Sequence, residues 1–130
     1  MHHGEAEGLF DPASGGAILP EVAPLPGEAI VEKWLPNAFA GTELQGRLSD
    51  LRRPSLLLAG FMTHMCVSAT ARAALDLGHQ VTIAADATAT RALPDVFGGA
   101  DLSAAQVHRA ALAELADRFA AVLPSADIAD

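Results

Sequence analysis

Residues Leu56–Asp86 read "LLLAGFMTHMCVSATARAALDLGHQVTIAAD", and the order of patterns within them decides the fold. The stretch opens inside "PSLLLAG", a continuous apolar run between Pro54 and Gly60, as expected of a central parallel strand covered on both faces. A short loop, "GFMTHM", leads into "CVSATARAALDLG". There Val67, Ala71, Ala74 and Leu75 share one face at helical spacing, and Gly78 supplies the C′ residue. "HQVTIAAD" is then the next strand.

The pattern continues downstream. Ala87–Asp101, "ATATRALPDVFGGAD", is loop-like; "LSAAQVHRAALAELADRF" predicts a second amphipathic helix capped by Asp101 or Ser103, and "AAVLP" an edge strand. Upstream, "GEAIVEKW" predicts a short strand over Ala29–Val31 that ends at Lys33. Turn residues Pro36, Asn37 and Gly41 follow, and Thr42 is placed to cap a helix over Glu43–Leu51 with Leu44, Leu48 and Leu51 on one face. The first 28 residues hold five Gly and four Pro and predict an irregular lead-in, with one domain over residues 29–130. Alternating strands and helices argue for an α/β fold with an open parallel sheet, flanking helices and right-handed crossovers.

Composition narrows the function. The chain has 130 residues, one domain's worth, and a formal charge of -8. Its seven arginines are scattered, so there is no basic face for nucleic acid and nothing to attract an anionic membrane. A small-molecule substrate is the expected partner. No apolar run approaches the roughly 20 residues that a bilayer needs. The N-terminus has no basic region followed by an apolar stretch, so the expected location is cytoplasmic. One cysteine, Cys66, excludes an internal disulfide framework and any zinc site built from several thiolates.

Free cysteine is among the most buried residue types, so Cys66 alone would read as a small core residue. Its position argues otherwise. It begins a helix after a buried strand, where free backbone N–H groups and the positive helix end favour a thiolate and are able to hold an oxyanion. Lys33 is the only lysine beside seven arginines, and it falls at the carboxyl edge of the sheet, where ligands bind in such folds. An ammonium there stabilises a thiolate, and lysine, unlike arginine, loses its proton when desolvated.

At these residues the chain resembles the isochorismatase-like cysteine hydrolases, the superfamily that includes nicotinamidases and N-carbamoyl amide hydrolases. "GFMTHMCVSATARAALDLGHQVTIAADATAT" resembles the family's nucleophile loop, its helix and the next strand ending in Asp-Ala; "VEKWLPNAFAGTEL" resembles its lysine segment. The resemblance spans about residues 27–122 and implies a Rossmann-like three-layer sheet. It implies Cys66 as nucleophile, Lys33 as the triad lysine, a cis peptide at Phe61-Met62, and an oxyanion hole from the N–H groups of Met62 and Cys66. The implied reaction is hydrolysis of a C–N bond in a small amide or N-carbamoyl compound, with no cofactor, and the implied assembly is a homo-oligomer. Isochorismate-type vinyl ether hydrolysis is a weaker alternative, since members that do it need no cysteine.

One departure stands out. The family's third catalytic residue is an aspartate at the end of a first strand upstream of the lysine, and no such apolar segment is found here. The fold is therefore expected to be incomplete at its N-terminus, lacking two strands and a helix, with the sheet split between the strand at Ala29 and the strand at Leu56. Asp11 is the only aspartate upstream of Lys33, in loop-like "LFDPAS", and is not promoted to the missing base. A reading from another class follows: a truncated, non-catalytic chain, inactive alone or completed by a partner chain. His2 and His3 read as part of a tag or the end of a lost strand. "MHHGEAEG" does not reproduce the metal-binding pattern of the nicotinamidase branch, so no metal is expected. Trp34, Phe39 and Phe61 are candidates for an apolar wall around a substrate, with His64 as a further substrate contact or a helix cap. His108 reads as a packing or surface residue, and Asp86 and Arg91 as an ion pair or loop anchors.

Overall fold

In a computed structural model, residues 2–3 and 17–128 are described. Asp11 and half of the expected lead-in lie outside them; from Ala17 to Ile30 the chain is irregular apart from one 3-10 turn at Pro20–Val22. The regular elements are β1 (His2–His3), β2 (Glu32–Lys33), α1 (Leu44–Asp50), β3 (Ser55–Phe61), α2 (Ser68–Asp76), β4 (Gln80–Ala89), α3 (Ala104–Arg118) and β5 (Ala121–Leu123). All strand pairs are parallel. β1 and β2 form one small sheet, and β3, β4 and β5 form another in that order.

The core lies between α2, α3 and one face of the larger sheet. Val67, just before α2, and Ala71 and Ala74 within it meet Val81 and Ile83 of β4 and Leu115 of α3, with Leu56 and Leu58 of β3, Leu112, Phe119 and Val122 packed around them. Helical spacing on α2 and alternation on the strands put these side chains on facing surfaces. α3 starts at Ser103, whose hydroxyl accepts from the Gln106 N–H while the Gln106 side chain accepts from the Ser103 N–H, a capping box. α1 buries Leu44 and Leu48 in part, but Leu51 lies past its last turn and is exposed.

Three expectations are corrected. The short strand lies at Glu32–Lys33 instead of Ala29–Val31, because a strand forms only where a neighbour runs alongside, and β1 pairs His2 with Glu32 and His3 with Lys33. β3 is not covered on both faces. Its burial alternates, with Leu56 and Leu58 inward and Leu57 and Phe61 exposed, and among the described residues it has a single neighbour strand, β4. β4 does not end at Asp86. Its pairing with β3 jumps from Leu58↔Ile83 to Gly60↔Thr88, so extra residues of β4 bulge out before the strand resumes through Ala89. The bulge exposes Asp86, and the Thr88 hydroxyl donates to Ala85 O across it at 3.0 Å.

The exposed Asp86 carboxylate anchors the turn after β5, accepting from the Ser125 N–H at 2.7 Å and the Ser125 hydroxyl at 2.6 Å. The hydroxyl, then the N–H, holds its pKa below the ordinary aspartate value. A carboxylate lowered in this way contributes stability above the unfolded-state pKa and loses it as pH falls through the folded one. The urea midpoint of the wild type should therefore drop more steeply between about pH 5 and about pH 3 than that of Asp86→Asn. In the core, Leu115→Ala should cost ~2–5 kcal/mol in the same denaturation, since Leu115 is fully buried between sheet and helix.

Candidate active site

The carboxyl ends of β2 and β3 deliver the two residues that the sequence singles out. At the end of β2, Lys33 is only 6% exposed. Its Nζ donates to Leu35 O at 3.0 Å and to Cys66 Sγ at 3.4 Å, across 33 residues of chain. Cys66 is 8% exposed. The helix carrying it begins earlier than its sequence suggests: Thr63–Val67 form a π turn that runs directly into α2, with Val67 N–H donating to Met62 O at 3.2 Å. Such widened turns are rare and frequently sit at functional sites. Before the turn, Gly60 takes φ +110°, a conformation strained for a residue with a side chain, and the Phe61–Met62 peptide is cis.

The surroundings of the pair are tied down by hydroxyls. Thr70 lies one helical turn beyond Cys66 and is buried; it accepts from the Ala38 N–H at 3.0 Å and donates to Pro36 O at 3.4 Å. The Lys33 segment is thereby strapped to the helix that carries the cysteine. Sequence reasoning passed over Thr70, although a hydroxyl four residues after Cys66 falls on the same face of a helix. Thr63, fully buried, bonds through Oγ1 to His108 Nδ1 at 2.9 Å. His64 bonds through Nδ1 to the Thr90 hydroxyl just past β4. Burial, and then the Arg91 guanidinium, push the His64 pKa down, which favours the neutral imidazole at neutral pH.

The remaining candidates divide. Met62 is buried, its carbonyl accepts from Met65 and Val67, and its N–H makes no hydrogen bond among the described residues. Trp34 and Phe61 present exposed rings beside Lys33 and at the end of β3. Phe39 is half-buried: its ring stacks on His79, 5.9 Å between centroids, and packs against the core. Asp86 anchors a loop and forms no ion pair with Arg91 among the described residues. No carboxylate contacts Lys33 or Cys66 among those residues, and no group of three or more His, Cys, Asp or Glu there is arranged to hold a metal ion.

The sequence profile of the Isochorismatase domain matches residues 3–127. This chain belongs to the isochorismatase family. Among its relatives is the "Secreted isochorismatase effector Isc1" of Verticillium dahliae, 41% identical over 111 residues, which are 85% of this chain and 55% of that protein. The crystal structure of an isochorismatase from Pseudomonas putida superposes with a TM-score of 0.85 at 41% identity, covering 92% of this chain and 61% of that one. A cysteine hydrolase from Pseudomonas syringae superposes with a TM-score of 0.82 at 29% identity, covering 90% and 54%. The chain thus spans little more than half the length of these family members.

An ammonium in hydrogen-bond range of sulfur favours thiolate over thiol. Lys33→Ala should therefore slow alkylation of Cys66 by iodoacetamide at about pH 6.5 by roughly 10-fold or more, while circular dichroism stays unchanged. An unchanged rate would mean that the contact does not govern the sulfur.

Proposed function

We propose that the protein is a cysteine hydrolase that cleaves a C–N bond in a small amide or N-carbamoyl compound. The observation that carries this reading is the buried contact between Lys33 Nζ and Cys66 Sγ at 3.4 Å. A buried lysine is rare unless it is paired, and here its partner is the one sulfur nucleophile in the chain.

In the proposed reaction the thiol proton passes to a carboxylate, which the family resemblance assigns to a position upstream of Lys33. The Cys66 thiolate, stabilised by the Lys33 ammonium, attacks the substrate carbonyl carbon. The N–H groups of Met62 and Cys66 hold the oxyanion that forms. As the tetrahedral species collapses, the C–N bond breaks and the amine leaves with the proton. Water then attacks the acyl-thioester, the acid is released and the thiol is restored. Trp34 and Phe61 are the aromatic residues proposed to meet the substrate, with His64 at the rim. The presence of a sulfur nucleophile is the reason to place vinyl ether hydrolysis second.

A second reading has its own support. The outer edge of β3 is unpaired among the described residues, and Leu57 and Phe61 are exposed beside it. Exposed sheet edges associate with other strands. On this reading the chain is inactive alone and gains activity when another chain completes the sheet.

The test uses protein isolated from its natural source, with its oligomeric state measured by light scattering. Ammonia release is followed on a panel of small primary amides and N-carbamoyl amino acids. Cys66→Ala should lower turnover by about 10³-fold or more without loss of fold. Substantial turnover by the variant would remove Cys66 from the mechanism. Activity that appears only in an assembly with a different chain would favour the second reading.

A further inference from the structure

Two consecutive side chains lead into Cys66, and each is held by a hydrogen bond between a hydroxyl and an imidazole. Thr63 is bonded to His108 on α3, 45 residues away, and His64 to Thr90 past the bulge of β4. In a π turn, with about 4.4 residues per turn, residues two and three positions before Cys66 point away from its side chain. Both bonds therefore act on the backbone that carries the sulfur and not on the sulfur itself.

The two bonds differ in one respect that matters. His64 and Thr90 are half-buried, so water is able to replace either partner. Thr63 is 0% exposed, and its hydroxyl has no recourse to solvent. A buried hydroxyl without a partner is costly, so Thr63 keeps its place only while His108 Nδ1 stands 2.9 Å from Oγ1. Either tautomer of His108 serves, because the hydroxyl both donates and accepts. The Lys33–Cys66 contact at 3.4 Å is an ordinary length for a hydrogen bond to sulfur, and the position of the turn sets where that sulfur stands.

We propose that His108 is a positioning residue that acts through Thr63 to hold the π turn where Cys66 meets Lys33. The inference rests on the reading of Cys66 as a nucleophile. It deepens that reading by assigning to α3, an element outside the nucleophile loop, a direct hold on the geometry of attack.

Three variants test it: Thr63→Val, which keeps shape and removes the hydroxyl; His108→Phe, which keeps a ring and removes Nδ1; and His108→Asn, which restores a polar atom near the Nδ1 position. The first readout is Cys66 alkylation by iodoacetamide at about pH 6.5, which needs no substrate. Thr63→Val and His108→Phe should each slow it by about 10-fold, and His108→Asn should recover most of the rate. In turnover assays the first two variants should lower kcat with KM within about twofold of wild type. His108 lies on a partly exposed face of α3, so if Thr63→Val does not fold, the comparison of Phe with Asn at position 108 decides alone. A fast wild-type thiol with folded variants that match it, or a folded Asn variant as slow as the Phe variant, would overturn the inference while leaving the hydrolase reading intact. A wild-type thiol no faster than a free model thiol would sink both.

Discussion

The buried ammonium of Lys33 is the constraint around which the site is arranged. A charge taken out of water must find partners, and Lys33 finds two, the Leu35 carbonyl and the Cys66 sulfur. Leu35 is local to it, but Cys66 belongs to another strand–helix unit, so the contact requires two separately folded pieces to be held in register. Thr70 does this by strapping Pro36 and Ala38 to the turn of α2 that follows the cysteine. The strap matters because, among the described residues, the small β1–β2 sheet shares no strand pairing with the larger one.

The larger sheet supplies the other half of the geometry. In a parallel sheet all strands end on the same edge, which is why the turn after β3 and the segment after β4 converge. The bulge in β4 refines this convergence. By letting extra residues swing outward at Asp86, it allows Thr88 and Ala89 to pair again with Gly60 and Phe61, and so carries Thr90 to His64. The same bulge leaves Asp86 free to hold Ser125 after β5. One irregularity thus serves the nucleophile turn on one side and the end of the fold on the other.

Much of this was legible in the sequence, and the failures share a cause. The β3–α2–β4 order follows from an apolar run, a helical period closed by Gly78 and a second apolar run. Cys66 and Lys33 stood out because each is the only residue of its kind. What the sequence hid is whatever depends on the neighbour across space. An apolar run such as "LLLAG" announces burial but not on how many faces, so the covering expected on both faces of β3 gives way to alternation, with Leu57 and Phe61 exposed. The bulge was hidden because alternation over Val81–Ala85 gives no sign of where pairing slips. Adjacency to Lys33 in sequence says nothing of the direction the Phe39 ring takes, so its stack on His79 is visible only in the fold. Thr63, Thr70 and His108 carry no motif at all. Their roles appear only when a hydroxyl is seen to be buried and its partners are counted.

The lone lysine among seven arginines finds its reason in the same accounting. At Lys33 the acceptors among the described residues are one carbonyl at 3.0 Å and one sulfur at 3.4 Å, both close to a single point. An ammonium is a compact charge on a flexible stem, and three donors on one atom are enough to reach both. A guanidinium spreads five N–H donors over a rigid plane and is satisfied by carboxylates or several carbonyls. In a pocket where the cation is 6% exposed, most of those donors would be left without partners, and the charge would sit further from the sulfur. The arginines of this chain that have identified ionic or aromatic partners show the contrast: Arg47 meets a carboxylate, and Arg72 meets a carboxylate and lies over the Phe119 ring at 4.0 Å, both on accessible surface. At those two positions the positive charge is met by planar or diffuse partners at the surface. At Cys66 it must be brought to a point, inside.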